Sequence, residues 1–349
     1  MKPKFKINRK EIFYILCLIP FFKLQTFDMF VNQGIQTGLW NAIDNLFNLG
    51  RIVVTIAFLF EYIRRKRTLR TITGICAVTY FLSCCIVCTL NGTIYFGYVF
   101  NGVTYVGLAL LCERMLEKSD KLFENVVYYL FGFYSILGAI LNLLFQNGFN
   151  HAPKPIAIYF LGSKNASFFY FIIFLYLFIL RYIRQEKMRG KLLIPILLLA
   201  GVYACDSKGG LVCLGVAVIY YYVIHFWKRL YKFIKPVPLI ITVSIIFYIV
   251  VFSPNVSWLS DALSLIGKDL EYGGRSVLWE YALKMYMAHP LLGNGATLEL
   301  MNRTVQTQAH NFYIDNLIRY GTIPLIVILV NVIFVAIKVS KEKIRKLLL

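Results

Sequence analysis

The chain has 349 residues, of which 59% are hydrophobic, 16% aromatic and only 15% charged. Soluble domains run at roughly 45–50% apolar and 25% charged, so this composition excludes one and points to a membrane protein. The net charge of +20, from 37 basic and 17 acidic residues, argues against nucleic-acid binding by its location: the basic residues gather in short hydrophilic breaks such as MKPKFKINRK, RRKRTLR, RYIRQEKMRGK, KRLYKFIK and KVSKEKIRK, the pattern of loops facing anionic head groups.

In chain order, hydropathy and these breaks predict ten spans, at residues 11–30, 39–60, 71–90, 93–112, 124–145, 166–181, 192–205, 209–227, 236–252 and 313–337. A helix needs about 20 apolar residues to cross a core roughly 30 Å thick. The first span is interrupted by Lys23 and the seventh is short. The N-terminus has a basic head and an apolar run but no small-residue cleavage site, which predicts a retained span. Ten spans put both termini on one side. The breaks on that side (residues 2–10, 64–70, 114–121, 181–191, 228–235 and 338–346) hold 27 of the 37 basic residues, so it is predicted to be cytoplasmic. The expected fold is all-α, a single polytopic helix bundle over residues 1–349.

Eight cysteines lie scattered in apolar segments, including CCIVC at residues 84–88. No His or carboxylate stands near that cluster, so buried apolar packing accounts for it better than zinc; no disulfide and no metal site is expected.

Two outward segments exceed a tight turn. Residues 146–165 form a modest one, and residues 253–312 a large extracytoplasmic one before the last span. Within the latter, GGRSVLWEYALKMYMAHPLLGNG places Val277, Leu278, Tyr281, Ala282 and Met285 at helical spacing, predicting amphipathic helices at the membrane surface that end at Pro290 and the GNG turn.

Ten basic residues fall in spans or on the outside: Lys23, Arg51, Lys154, Lys164, Lys208, Lys268, Arg275, Lys284, Arg303 and Arg319. Ionisable groups there are costly, so topology alone does not explain them. Arg275 opens the amphipathic helix with Trp279 one turn on. Its guanidinium can fork onto phosphate oxygens, or pair with Glu271 or Glu280. Lys208 lies in CDSKGG, a turn so short that it sits at membrane depth; Gly209 and Gly210 would let backbone N–H groups approach an anion, whereas Asp206 could simply neutralise the lysine. His310 opens the final span in AHNFYIDNLIRYG. It can take a proton near neutral pH with a carboxylate such as Asp315 to orient it, or serve as an interfacial hydrogen-bonding group. No P-loop, GxSxG, HExxH or dinucleotide glycine pattern is present.

The segment from Gly274 to Gly321 resembles the C-terminal signature of the O-antigen ligase and polymerase family, the Wzy-type polymerases and lipopolysaccharide ligases. An Arg with a Trp about four later, a Pro-Leu-x-Gly-x-Gly turn, a His-Asn pair and a closing Gly recur in that order; here they are GRSVLW, HPLLGNG and AHNFYIDNLIRYG. Upstream, CDSKGGLVCLGV resembles the family's Ser-Arg-Gly turn with Lys208 in place of Arg, and LGSKNASFFYFI a turn whose Asn165 precedes a span. The first 150 residues match in hydropathy alone.

The resemblance implies a GT-C-like glycosyltransferase of the ligase and polymerase type in the bacterial cytoplasmic membrane, with an extracytoplasmic site acting on undecaprenyl-pyrophosphate-linked oligosaccharide. It implies no cofactor and no metal, with membrane lipid, a chain-length regulator and a flippase as partners. Carried over residue by residue, Arg275 and Lys208 would hold the pyrophosphate with added potential from Arg51, and His310 would deprotonate or orient the acceptor hydroxyl. Asn311, Asp315, Arg319, Trp279 and Asn165 would support them, with Asp315 and Arg319 paired at i, i+4 on the helix. A polymerase passes the chain to another lipid-linked repeat; a ligase passes it to a final acceptor such as lipid A core. Two rivals differ in kind: an enzyme whose base is Asp28 or Asp44 in the first outer loop, and a lipid-linked oligosaccharide flippase.

Overall fold

Apolar runs punctuated by charge fold as helices along the described chain. The computed structural model describes residues 7–35, 37–65, 72–150, 157–184, 190–226, 275–296 and 312–347. Twelve α-helices are present among them: α1 (Arg9–Leu18), α2 (Gln25–Asn32), α3 (Thr37–Arg64), α4 (Ile72–Leu90), α5 (Phe96–Lys118), α6 (Asp120–Leu144), α7 (Ala166–Ile183), α8 (Leu193–Ala204), α9 (Lys208–Phe226), α10 (Arg275–Ala288), α11 (Phe312–Tyr320) and α12 (Thr322–Leu347). Among the described residues, five segments are long and apolar enough to cross a membrane: Arg9–Asn32, Thr37–Arg64, Phe96–Lys118, Asp120–Leu144 and Ala166–Ile183. Shorter apolar helices add Gly74–Leu90, Leu193–Ala204, Gly209–Val223 and Thr322–Phe334. The chain is a polytopic helical membrane protein. The predicted ninth span, 236–252, lies outside the described residues, as does the 253–312 segment apart from residues 275–296 and 312.

Two predicted spans are not single helices. The first breaks after α1 into a 3-10 turn, Ile19–Phe22, with Pro20 near its start. Proline cannot donate to the preceding turn, so the helix restarts only at Gln25. Lys23, in the break, is ion-paired with Asp28 at 2.7 Å and with Asp44 of α3. Both carboxylates of the rival catalytic reading therefore face a lysine. The last predicted span, 313–337, is broken at Gly321 into α11 and α12.

The chain divides into two compact units. The first holds described residues up to 65 and from 110 to 226. Its core is α6 against α7 and α8, with α9 on α7 and α8. Small residues set the spacing: a Cβ at Gly201 of α8 would lie 2.7 Å from Cα of Ala139 on α6, and one at Gly132 would lie 2.9 Å from the Phe174 ring on α7. Helices in an apolar solvent gain by such close approach because hydrocarbon outside does not drive them together. Fully buried Phe171, Phe174, Phe178 and Leu198 fill the remainder.

Charge collects at one end of this unit. Glu61 near the end of α3 takes Arg114 at 3.0 Å and Arg65 at 3.4 Å, and Glu124 of α6 takes Arg181 at 3.5 Å and Arg184. The helix ends that charge bias places together thus meet through ion pairs. At the opposite ends of α2 and α6, the 157–163 segment folds back onto α2: Thr26 donates to the Tyr159 and Phe160 carbonyls at 2.6 Å, and Gln25 accepts from Ser163.

The second unit holds residues 72–109, 275–296 and 312–347. Here α12 packs on α4, and α11 lies against α10, α12 and α4.

Candidate functional site

Lys208, Asn165 and Arg51 belong to the first unit; Arg275, Trp279, Asp315 and Arg319 belong to the second. His310 and Asn311 lie outside the described residues.

In the first unit the sequence Cys205-Asp206-Ser207-Lys208 makes a tight reversal between α8 and α9. Asp206 takes a left-handed backbone, φ +56, which Asp tolerates better than most residues because its short side chain can bond locally. Ser207 is 1% exposed, and its hydroxyl donates to Asn165 Oδ1 at 2.9 Å. That bond joins the N-terminal ends of α7 and α9, each of which carries positive partial charge. A Cβ built at Gly209 meets no heavy atom within 4 Å among the described residues, whereas one at Gly210 would meet Ser207 Oγ at 2.8 Å. Among the described residues, the first turn of α9 is therefore open at Gly209 and packed at Gly210. Beneath lies Asn142 of α6, 1% exposed, whose amide donates to Ser167 Oγ at 3.2 Å, the Gly201 carbonyl at 3.3 Å and Cys205 Sγ at 3.1 Å. Tyr159 packs on Cys205; burial, with smaller contributions from Cys205 and Asp206, raises its hydroxyl above the ordinary value. Arg51, in α3, donates to Asn48, which in turn donates to Asp44 at 3.2 Å.

In the second unit Arg275 is the first residue of α10, and Trp279 and Ala282 are buried. Glu280 is paired with Lys284 at 2.8 Å, and that hydrogen bond and charge hold its carboxyl below the ordinary range. The helix stops at Ala288, before Pro290, as its sequence predicts.

The Pro-Leu-Leu-Gly-Asn-Gly turn then clasps α11 through its backbone. Asn294 N–H donates to the Ile318 carbonyl and Gly295 N–H to the Arg319 carbonyl, both at 2.8 Å; the Asn294 amide adds bonds to Ile318 at 2.9 Å and Met285 at 3.4 Å. The Ile318 and Arg319 carbonyls lie at the end of α11, where a terminating helix leaves them without internal donors. On leaving α11, Thr322 N–H donates to the Pro290 carbonyl at 2.9 Å. Gly321 has φ +75, and a Cβ there would lie 2.2 Å from the Leu291 carbonyl oxygen; Gly293 has φ +59, and its Cβ would lie 2.5 Å from the Arg319 carbonyl. Both positions need glycine for handedness and for proximity.

Arg319, 9% exposed, donates from Nε to Asp315 at 3.0 Å and from Nη1 to the Ala296 carbonyl. The predicted i, i+4 pair exists and ties α11 to the end of the clasp. Thr93 accepts from Ala296 N–H at 3.1 Å, Asn91 donates to the Leu292 carbonyl at 3.1 Å, and Tyr80 of α4 donates to buried Asn316 at 2.6 Å. Replacing Asn294 with alanine removes its two side-chain bonds, with an expected cost of about 1–3 kcal/mol, read as a lower melting temperature in detergent. An unchanged melting temperature would show that the backbone donors alone hold α11.

Sequence reasoning missed Asn142, Ser167 and Tyr80. A signal existed for Asn142: an amide within an apolar helix must find partners inside the bundle.

Residues 193–329 match the family model described as O-antigen ligase. The matched stretch takes in Lys208, Arg275, Trp279, His310, Asn311, Asp315 and Arg319; Arg51 and Asn165 lie outside it. No curated protein and no solved structure matches the chain.

Proposed function

We propose, on the match of residues 193–329 to the O-antigen ligase family model, that the chain is a GT-C-type polysaccharide polymerase of the bacterial cytoplasmic membrane, with ten spans, both termini cytoplasmic and an extracytoplasmic site. It transfers a glycan from undecaprenyl pyrophosphate to a lipid-linked repeat unit. The observation that carries the reading is the extent of the match, whose range takes in Lys208, Arg275, His310 and Arg319.

In the proposed reaction the acceptor hydroxyl oxygen attacks the anomeric carbon of the donor. The bond from that carbon to the pyrophosphate oxygen breaks, its electron pair stays with the pyrophosphate, and the hydroxyl proton passes to His310. Lys208 and Arg275 stabilise the departing negative charge, with Arg51 adding positive potential. The open first turn of α9 at Gly209, and the meeting of the α7 and α9 N-termini at Asn165 and Ser207, support an anion there. Asp315 and Arg319 hold α11, the helix that follows His310 and Asn311, against the clasp; Trp279 anchors α10. The leaving group is already activated, so the step calls for neither nucleotide nor metal.

A second reading is transfer of finished polymer to a final acceptor such as lipid A core, favoured by the description of the matched family. Reconstitution in liposomes with a defined lipid-linked repeat, chelator and no nucleotide decides between them. A ladder of lengthening products is expected. Single transfer to an added core acceptor, without a ladder, selects the ligase; no transfer to either acceptor sinks both.

A further inference from the structure

At the charged end of the first unit, α1 and the α5–α6 junction form an open groove of about 550 Å³, lined by Asn8, Lys10, Glu11, Lys118, Ser119, Lys121, Leu122 and Asn125. We propose that this groove binds the phosphodiester head group of an anionic membrane lipid, with the acyl chains lying along α1. The proposal is independent of the glycosyl-transfer reading.

Three cations and one carboxylate line the groove, and the carboxylate is already engaged. Glu11, 4% exposed, accepts from Asn8 N–H at 2.8 Å and from the Asn125 amide at 2.6 Å, while the Asn125 carbonyl oxygen takes the Arg181 guanidinium. Its charge is thus relayed to a buried arginine on the protein side. By contrast, Lys10, Lys118 and Lys121 are exposed, and none forms an ion pair among the described residues. Lys118 lies over the Tyr14 ring, 5.0 Å from its centroid, which restrains it beside the groove. The N-terminus of α6, capped by Ser119, adds partial positive charge; Asp120 in its first turn offsets part of that. Lysines present point charges suited to a phosphate in changing orientations.

The surface beyond the lysines selects a lipid over free phosphate. Past Lys10, α1 exposes Ile12, Phe13 and Leu16 at 47%, 55% and 62%. Basic side chains followed by an outward apolar strip match a head group followed by its chains.

The test is thermal unfolding of the full chain in nonionic detergent, titrated with dihexanoyl phosphatidylglycerol, dihexanoyl phosphatidylcholine or inorganic phosphate. The melting temperature should rise with phosphatidylglycerol and stay flat with the other two. The triple variant Lys10→Gln/Lys118→Gln/Lys121→Gln should require on the order of 100-fold more phosphatidylglycerol for the same shift, from the summed attraction of three near-surface lysines. Lys191→Gln, an exposed lysine elsewhere on this unit, should titrate as wild type. If the triple variant fails to fold, Lys121→Gln alone should still weaken the response on the order of fivefold. Equal response to phosphatidylcholine, equal response to inorganic phosphate, or a wild-type titration from the lysine variants each overturns the proposal.

Discussion

Arg275→Ala is expected to cut polymer formation by about 100- to 1,000-fold, the usual cost of removing one group that stabilises charge developing in a transition state. The effect should fall on the turnover of saturating donor more than on donor affinity, because the pyrophosphate gains negative charge only as the glycosidic bond breaks. Arg275→Lys should recover part of the loss: it restores the charge but lacks the planar fork that grips two oxygens. His310→Ala should also suppress the ladder, and its residual activity should lose the pH dependence that a proton-accepting imidazole confers. Full-length ladders from both alanine variants would remove these residues from the mechanism.

Gly321→Ala should have an effect as large but of a different kind. The left-handed backbone costs a residue with a Cβ about 1–3 kcal/mol. A contact at 2.2 Å with the Leu291 carbonyl adds to this, because a backbone atom cannot rotate away. The turn must move off α11, releasing the hydrogen bonds to the Ile318 and Arg319 carbonyls. The expected result is a destabilisation of at least about 3 kcal/mol with loss of polymer, so the melting temperature falls together with the activity. Gly34→Ala is the matched control: its φ is +72, but a Cβ there meets no heavy atom within 4 Å among the described residues. It should cost only the conformational part. Equal melting temperatures for the two variants would show that the clasp does not depend on close approach.

Much of the helical order was legible because apolar runs bounded by charge are local signals. The ranges of α3, α6, α7, α8 and α9 follow the predicted spans within a few residues, and α5 runs on to Lys118 past the predicted end at 112. Lys23 marked the break in the first span because an unpaired lysine cannot stay in hydrocarbon, although its partners Asp28 and Asp44 were not read from spacing. The Asp315–Arg319 pair was legible from i, i+4 geometry. The break at Gly321 was not, since hydropathy averages across one glycine and carries no information about handedness. The docking of the 290–295 turn on α11 was equally hidden: it is made by backbone groups about 25 residues apart, and no periodicity encodes such a pairing. Asn142 carries no charge to mark it in an apolar run, yet a buried amide with three acceptors within reach organises the end of α6 as firmly as an ion pair would.

The interruption at Gly321 also changes what the polar residues of α11 cost the protein during insertion. Nine residues rise only about 14 Å, less than half the thickness of a hydrocarbon core. The apolar stretch Thr322–Phe334 begins beyond them. Asp315, Asn316 and Arg319 are then not passengers of a transmembrane segment that the insertion machinery must tolerate. They ride on a separate short helix, held by the clasp and packed on α4. Substitutions in α11 should accordingly alter assembly and activity without altering how many times the chain crosses the bilayer.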